Sequence, residues 1–164
     1  MKTNFLENNH VVHVAPASVV ATNADLGEGV GGQIILCDVM SLKNADGAVF
    51  VCTTSANNSG AITFTVLACD DSSATTTVAV SFRYTTIAAP DTISATGETK
   101  GLLTSTGTDF VYIMEVDAAK VAEQGYEFVR LVGTETTNFA VEGGIVGWLT
   151  GLRYKEDDIG TQVT

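Results

Sequence analysis

The stretch Thr77-Val78-Ala79-Val80-Ser81-Phe82-Arg83-Tyr84 carries the clearest alternation in the chain. On an extended backbone Val78, Val80, Phe82 and Tyr84 fall on one side, and Thr77, Ala79, Ser81 and Arg83 fall on the other. One apolar face and one wetter face mark a strand of an antiparallel sheet. The pattern predicts a single strand over 77–84 with its large side chains in a core.

Working outward, the flanking segments read the same way. Upstream, Ala48-Val49-Phe50-Val51-Cys52-Thr53 is a short apolar run. Ile62-Thr63-Phe64-Thr65-Val66-Leu67-Ala68 alternates, and Ser55-Ala56-Asn57-Asn58-Ser59-Gly60 between them is turn chemistry. These two runs predict a hairpin, which Asp70-Asp71-Ser72-Ser73 then breaks. Downstream, residues 86–109 hold Pro90, Gly97, Gly101 and Gly107 and read as a long polar loop. Asp109 to Val116 is another strand. Asp117 is placed to cap a one- or two-turn helix over 118–123, closed by Gly125. Tyr126 to Val132 alternates again, 134–138 is a turn, and Phe139 to Leu149 is a last strand. The Gly143-Gly144 pair in that strand suggests a bulge.

Seven or eight short strands, turns between them and one short helix predict an all-β fold. The expected architecture is an antiparallel β-sandwich, jelly-roll-like, with the helix as a crossover between two edges. Residues 1–32 read as an extended N-terminal arm, 33–154 as the sandwich, and 155–164 as an acidic, mobile C-terminal tail.

Composition supports strands and narrows function. The chain has 164 residues, 45% of them apolar and only 16% charged, with 23 Thr and 20 Val. That is too apolar for a disordered chain and too lightly charged for a coiled coil. Thr and Val are β-branched and suit a pleated surface. The net charge of -11 would repel nucleic acid and anionic membranes alike, so neither is an expected partner. No run approaches the length of a membrane-spanning helix, and Met1 to Asn8 lacks the apolar core of a signal peptide. Cys37, Cys52 and Cys69 are odd in number and widely spaced, which predicts buried free thiols made in a reducing compartment.

The search for chemistry finds little. His10 and His13 lie in the arm among valines that look extended, and are not read as a metal site. Asp70-Asp71 and Glu156-Asp157-Asp158 sit in turn-like or terminal segments and read as solvated acids rather than a glycosidase pair. Gly27, Gly29, Gly31 and Gly32 precede a strand, not the helix a phosphate-binding loop requires. Trp148, the single tryptophan, reads as a core residue. The expectation is a chain with no catalytic, metal or cofactor residues, which therefore works by binding.

Four pieces of the chain between Gly47 and Gly151 carry a resemblance. They are the Ala48–Val51 and Ile62–Ala68 pair; the Asp70-Asp71-Ser72 turn; Met114-Glu115-Val116-Asp117 running through the helix to Gly125-Tyr126-Glu127-Phe128-Val129-Arg130-Leu131; and Val141-Glu142-Gly143-Gly144-Ile145-Val146-Gly147. In overall pattern this resembles tailed-bacteriophage capsid decoration (cement, or head-stabilising) proteins, over about two thirds of the chain. The resemblance implies a module made in the bacterial host cytoplasm that docks on the outer surface of the capsid. There it would stiffen the lattice of the major capsid protein as a small homo-oligomer, with a trimer as the expected state. It transfers no catalytic residue. Phe5, Leu6, Val11, Val12, Val14 and Pro16 of the arm are then the candidate partner-contacting residues. A tail-tube or head–tail joining subunit is the main alternative, and a carbohydrate-binding or adhesin module the second.

Overall fold

The computed structural model describes residues 9–12, 25–27, 34–54, 60–88, 92–107, 110–136 and 141–152. The strands are β1 Asn9–Val12, β2 Asp25–Gly27, β3 Ile34–Leu36, β4 Met40–Ser41, β5 Gly47–Thr54, β6 Ile62–Cys69, β7 Thr77–Val80, β8 Phe82–Ala88, β9 Thr92–Thr99, β10 Leu102–Leu103, β11 Phe110–Asp117, β12 Phe128–Glu135 and β13 Val141–Thr150. Among the described residues one helix, α1 (Ala118–Ala122), lies between β11 and β12. All strand pairings are antiparallel.

Two sheets face each other, as the alternation predicts. The first runs β1-β13-β5-β11-β8-β9, with β2 also on β13. The second runs β10-β6-β12-β3, with β7 on β6 and β4 on β12. Between them lies one core, in which Phe50, Tyr112, Met114 and Phe82 of the first sheet meet Phe64, Ile62, Val66 and Leu131 of the second. Gly133 on β12 keeps this core tight. A Cβ there would come within 3.0 Å of Ile62 Cγ2 and 3.2 Å of Phe64 Cε1.

Several details depart from the sequence reading. The runs at 48–53 and 62–68 are not a hairpin: β5 pairs β11 and β13, while β6 pairs β12, β7 and β10. Two apolar strands can stack across a core as readily as pair along an edge, and the turn residues between them permit either. The strand over 77–84 is really two. β7 belongs to the second sheet and β8 to the first. Val80 and Phe82 are both buried on either side of Ser81, so the chain changes sheet without changing inward parity, and alternation cannot register the switch. The loop over 86–109 is largely strand: β8 continues to Ala88, β9 returns along it, and β10 follows. Its Thr-rich residues are β-formers once a partner is present. Gly97 within β9 lies under the Tyr84 ring, 3.1 Å from where its Cβ would be. Finally, α1 joins two inner strands, one from each sheet, rather than two edges.

The helix itself is as expected. Asp117 precedes it with extended φ and ψ, and Gly125 follows at φ 81°. Asp117 gives no side-chain cap. Its carboxylate lies instead 3.5 Å from Arg83. The bulge expected at Gly143-Gly144 sits earlier, between Val141 and Glu142, and the glycines pair regularly with Thr54 and Thr53.

Candidate functional site

The arm enters the structure along β13. Asn9 to Val12 pair with Thr150 to Gly147, and Asp25 and Gly27 pair with Glu142 and Val141. Between these contacts β13 advances only through Gly143 to Val146, while the arm spends residues 13–24. Of the candidate contact residues, Val11 and Val12 lie on β1, and Val11 is 49% exposed. Phe5, Leu6, Val14 and Pro16 fall outside the described residues, as does His13.

The larger feature is the face that Val11 adjoins. Strand alternation sends Phe50, Cys52, Tyr112, Met114, Ile145 and Leu149 into the core. The residues between them point outward from the first sheet; on β13 and β5 several of these are apolar too, while towards β8 and β9 they are charged or polar. In register across the sheet run Val11, Trp148, Val49, Glu115, Arg83 and Glu98. The next row is Val146, Val51, Ile113, Thr85 and Thr96. Val146 is 46% exposed. Val49 is only 7% exposed although it lies outside the core cluster. Trp148 is therefore an outward, half-buried residue beside Val49, not the core residue its apolar neighbours suggested. Sequence held one signal for this face: β5 reads as a continuous apolar run rather than an alternating one, the mark of a strand covered on both sides.

Charge gathers at one corner of this face. Arg83 lies 3.2 Å from Glu115 and 3.5 Å from Asp117, and Lys120 lies 3.7 Å from Glu98. These exposed pairs are worth little individually, but they leave the corner partly self-neutralised. A shallow depression of about 410 Å³ lies here, lined by Arg83, Thr85, Thr96, Glu98, Ile113 and Glu115. A second, of about 320 Å³, lies by α1 between Leu42, Ala45, Ala118, Ala122 and Tyr126.

Chemistry-bearing groups elsewhere are engaged structurally. Asp70 accepts the Thr76 N–H at 2.8 Å, which holds its carboxyl below the usual range. Asp71 accepts from the N–H groups of Ser73 and Thr75. The pair therefore folds the β6–β7 turn, as its sequence setting implies. The three cysteines are free and buried. Burial pushes the Cys69 thiol up to about 11 and, with Asp38 adding repulsion, the Cys37 thiol up to about 12. Burial raises Cys52 further still. Thiols so raised are poor nucleophiles. Among the described residues no three His, Cys, Asp or Glu side chains come together as a metal site. Glu135 alone stands out: it is buried on β12, and neither carboxylate oxygen has a hydrogen-bond partner. Thr104 Oγ1 accepts the Ile62 N–H at 2.9 Å, and the Tyr112 hydroxyl accepts the Ser105 N–H at 2.7 Å.

Among the described residues most sheet edges are short strands. One edge of the first sheet is the four-residue β1; the other is β9, whose ladder with β8 shifts register between Thr86 and Ile87. The second sheet is edged by the short strands β10 and β7 on one side and β3 and β4 on the other. Short and bulged edges resist strand addition. Compared with known protein families, curated proteins and solved structures, the chain matches none.

Proposed function

We propose that this chain is a non-enzymatic virion structural protein that docks on the outer surface of a phage capsid and stabilises the lattice of its major capsid protein. The observation that carries this reading is the apolar outer patch that Val146, Trp148, Val49 and Val51 form on β13 and β5, bordered by the arm strand β1. A protein that only had to remain soluble would place polar residues there. A sandwich with mostly short edge strands and an apolar patch on one face is suited to docking on a repeated surface. The low basic content, 8 Lys and Arg against 19 Asp and Glu, suits an outer surface better than the DNA-facing inside. The resemblance to capsid decoration proteins supplies the partner, and the arm supplies apolar anchors beside the face.

The test is cryo-electron microscopy of purified virions carrying the chain. Density on the outer capsid between major capsid subunits is the expected result. Density in the tail or neck would replace this reading with that of a tail-tube or joining subunit. Absence from the particle would sink both, and the outward Trp148 would then make glycan binding the next reading to test.

A further inference from the structure

We propose that the groove beside α1 is the docking site of this chain's own segment Arg153-Tyr154-Lys155, with the Tyr154 side chain seated in it. This does not rest on the capsid reading.

Helix α1 makes the groove. Buried Val121 anchors the helix to the core, and Ala118, Ala119 and Ala122 are what it offers on the groove side. Their methyl groups are too short to fill the space towards the turn at 42–46. About 320 Å³ therefore lies open between the helix, Leu42, Ala45 and Tyr126. That is at the small end of ligand sites, which run from about 300 to 1,000 Å³, and it suits one aromatic side chain. A tyrosine can bury its ring against such apolar walls and keep its hydroxyl in water.

Connectivity brings the segment there. The Asp46 N–H donates to the Thr150 carbonyl at 2.9 Å, and the Ala118 N–H donates to the Asp46 carbonyl at 2.8 Å. The end of β13 thus lies against Asp46, which joins the Ala45 wall to the Ala118 wall. Gly151 follows at φ 62°, so close to Asp46 that a Cβ would collide with the carboxylate. Leu152 then packs against the margin of the core, as do Ala118 and Tyr126 of the groove. Two further residues at about 3.4 Å each span about 7 Å, and on an extended backbone Tyr154 falls on the side that Leu152 buries.

Charge agrees. Of the two charged residues on the rim, Glu127 is acidic and Lys43 basic, while Asp46 and Glu123 adjoin Ala45 and Ala122. Nearby Asp117 and Lys120 are already paired, with Arg83 and Glu98. The surround is therefore acidic, and Arg153 and Lys155, two of the chain's 8 basic residues, flank Tyr154 with the opposite sign. A second copy or a foreign peptide must also compete with a tethered segment, whose effective concentration over so short a link is of the order of millimolar.

The experiment is NMR of the full chain. Wild type is expected to show nuclear Overhauser contacts from the Tyr154 ring to the methyl groups of Ala118 and Ala122. Ala122→Arg, at an exposed position on α1, fills the groove and repels the segment, and is expected to abolish those contacts. Leu103→Arg, exposed on β10, is expected to leave them unchanged. Circular dichroism checks that both variants are folded. Tyr154→Ala alters none of the groove residues and is expected to shift the Ala119 and Ala122 amide signals, so the test stands even if Ala122→Arg fails to fold. A sample mixing isotope-labelled and unlabelled chains shows whether the contacts lie within one chain. Wild type without the contacts, contacts that survive Ala122→Arg, amide signals unmoved by Tyr154→Ala, or contacts between chains would each overturn the proposal.

Discussion

Glu135 is the residue the fold has most reason to regret. Its carboxylate is 6% exposed and unpartnered on both oxygens, in a position where burial of a polar group costs about 1–3 kcal/mol. Glu135→Met, similar in volume and without the polar group, is expected to stabilise the protein by about that amount and to raise its melting temperature by several degrees. A thermal melt in which the variant unfolds below wild type would refute it. The cysteines give a second residue-scale expectation. Unfolded thiols titrate near 9.0, whereas burial holds Cys69 protonated to about 11 and Cys37 to about 12. Below pH 9 both states are protonated and the stabilising contribution is complete. As pH rises through this window only the unfolded chain ionises, so stability falls by about 1.4 kcal/mol per pH unit for each thiol. Urea titrations at pH 8, 9.5 and 10.5 measure this. The slope should shrink when Cys69 is replaced by Ala, and an unchanged slope would show that the thiol is not the cause.

At the scale of the element, the β6–β7 turn contains a correctable defect. Ala74 adopts φ 51°, a left-handed conformation that costs a side chain about 1 kcal/mol, while Asp71 holds the turn through its acceptor bonds. Ala74→Gly relieves the crowding but adds freedom to the unfolded chain, so a net gain of about 0.5 kcal/mol is expected. Equilibrium denaturation measures it, and a loss of stability would mean that the turn is not held as described. Elements also show where sequence is legible. The Asp70-Asp71 turn, the 118–123 helix before Gly125, the alternation of β6 and the existence of β11 could all be read, because local chemistry or period determines them. The separation of β5 from β6, and the sheet change at Ser81, could not. Stacking and pairing use the same apolar strands, and parity is kept across the switch. β9 escaped because Ser, Thr and Gly look like a loop until β8 lies beside them.

For the whole molecule, the two-layer sandwich was legible from alternation and turn spacing, but the candidate site was legible only in part. Val11 could be singled out from composition. That it would lie opposite Trp148, at the margin of an apolar face, depends on the register of β1 on β13, which no local pattern encodes. Deleting residues 1–20 removes β1 but leaves β13 its full ladder to β5. The truncated protein is expected to remain folded by circular dichroism and to lose binding to capsids in a pelleting assay. Undiminished binding would take the arm out of the proposed function.

The position of β5 also governs how the molecule comes into being. Gly47 at its start is paired to Asp117 on one side and Thr150 on the other, so the central strand of the larger sheet leaves the ribosome long before either neighbour exists. At about 5–20 residues per second the wait for β13 lasts of the order of 5–20 s. Throughout it, a segment with apolar groups on both faces and two unpaired edges is exposed to every other nascent chain. The sheet therefore closes only once β13 has been made, and until then the chain is a natural client for holding chaperones.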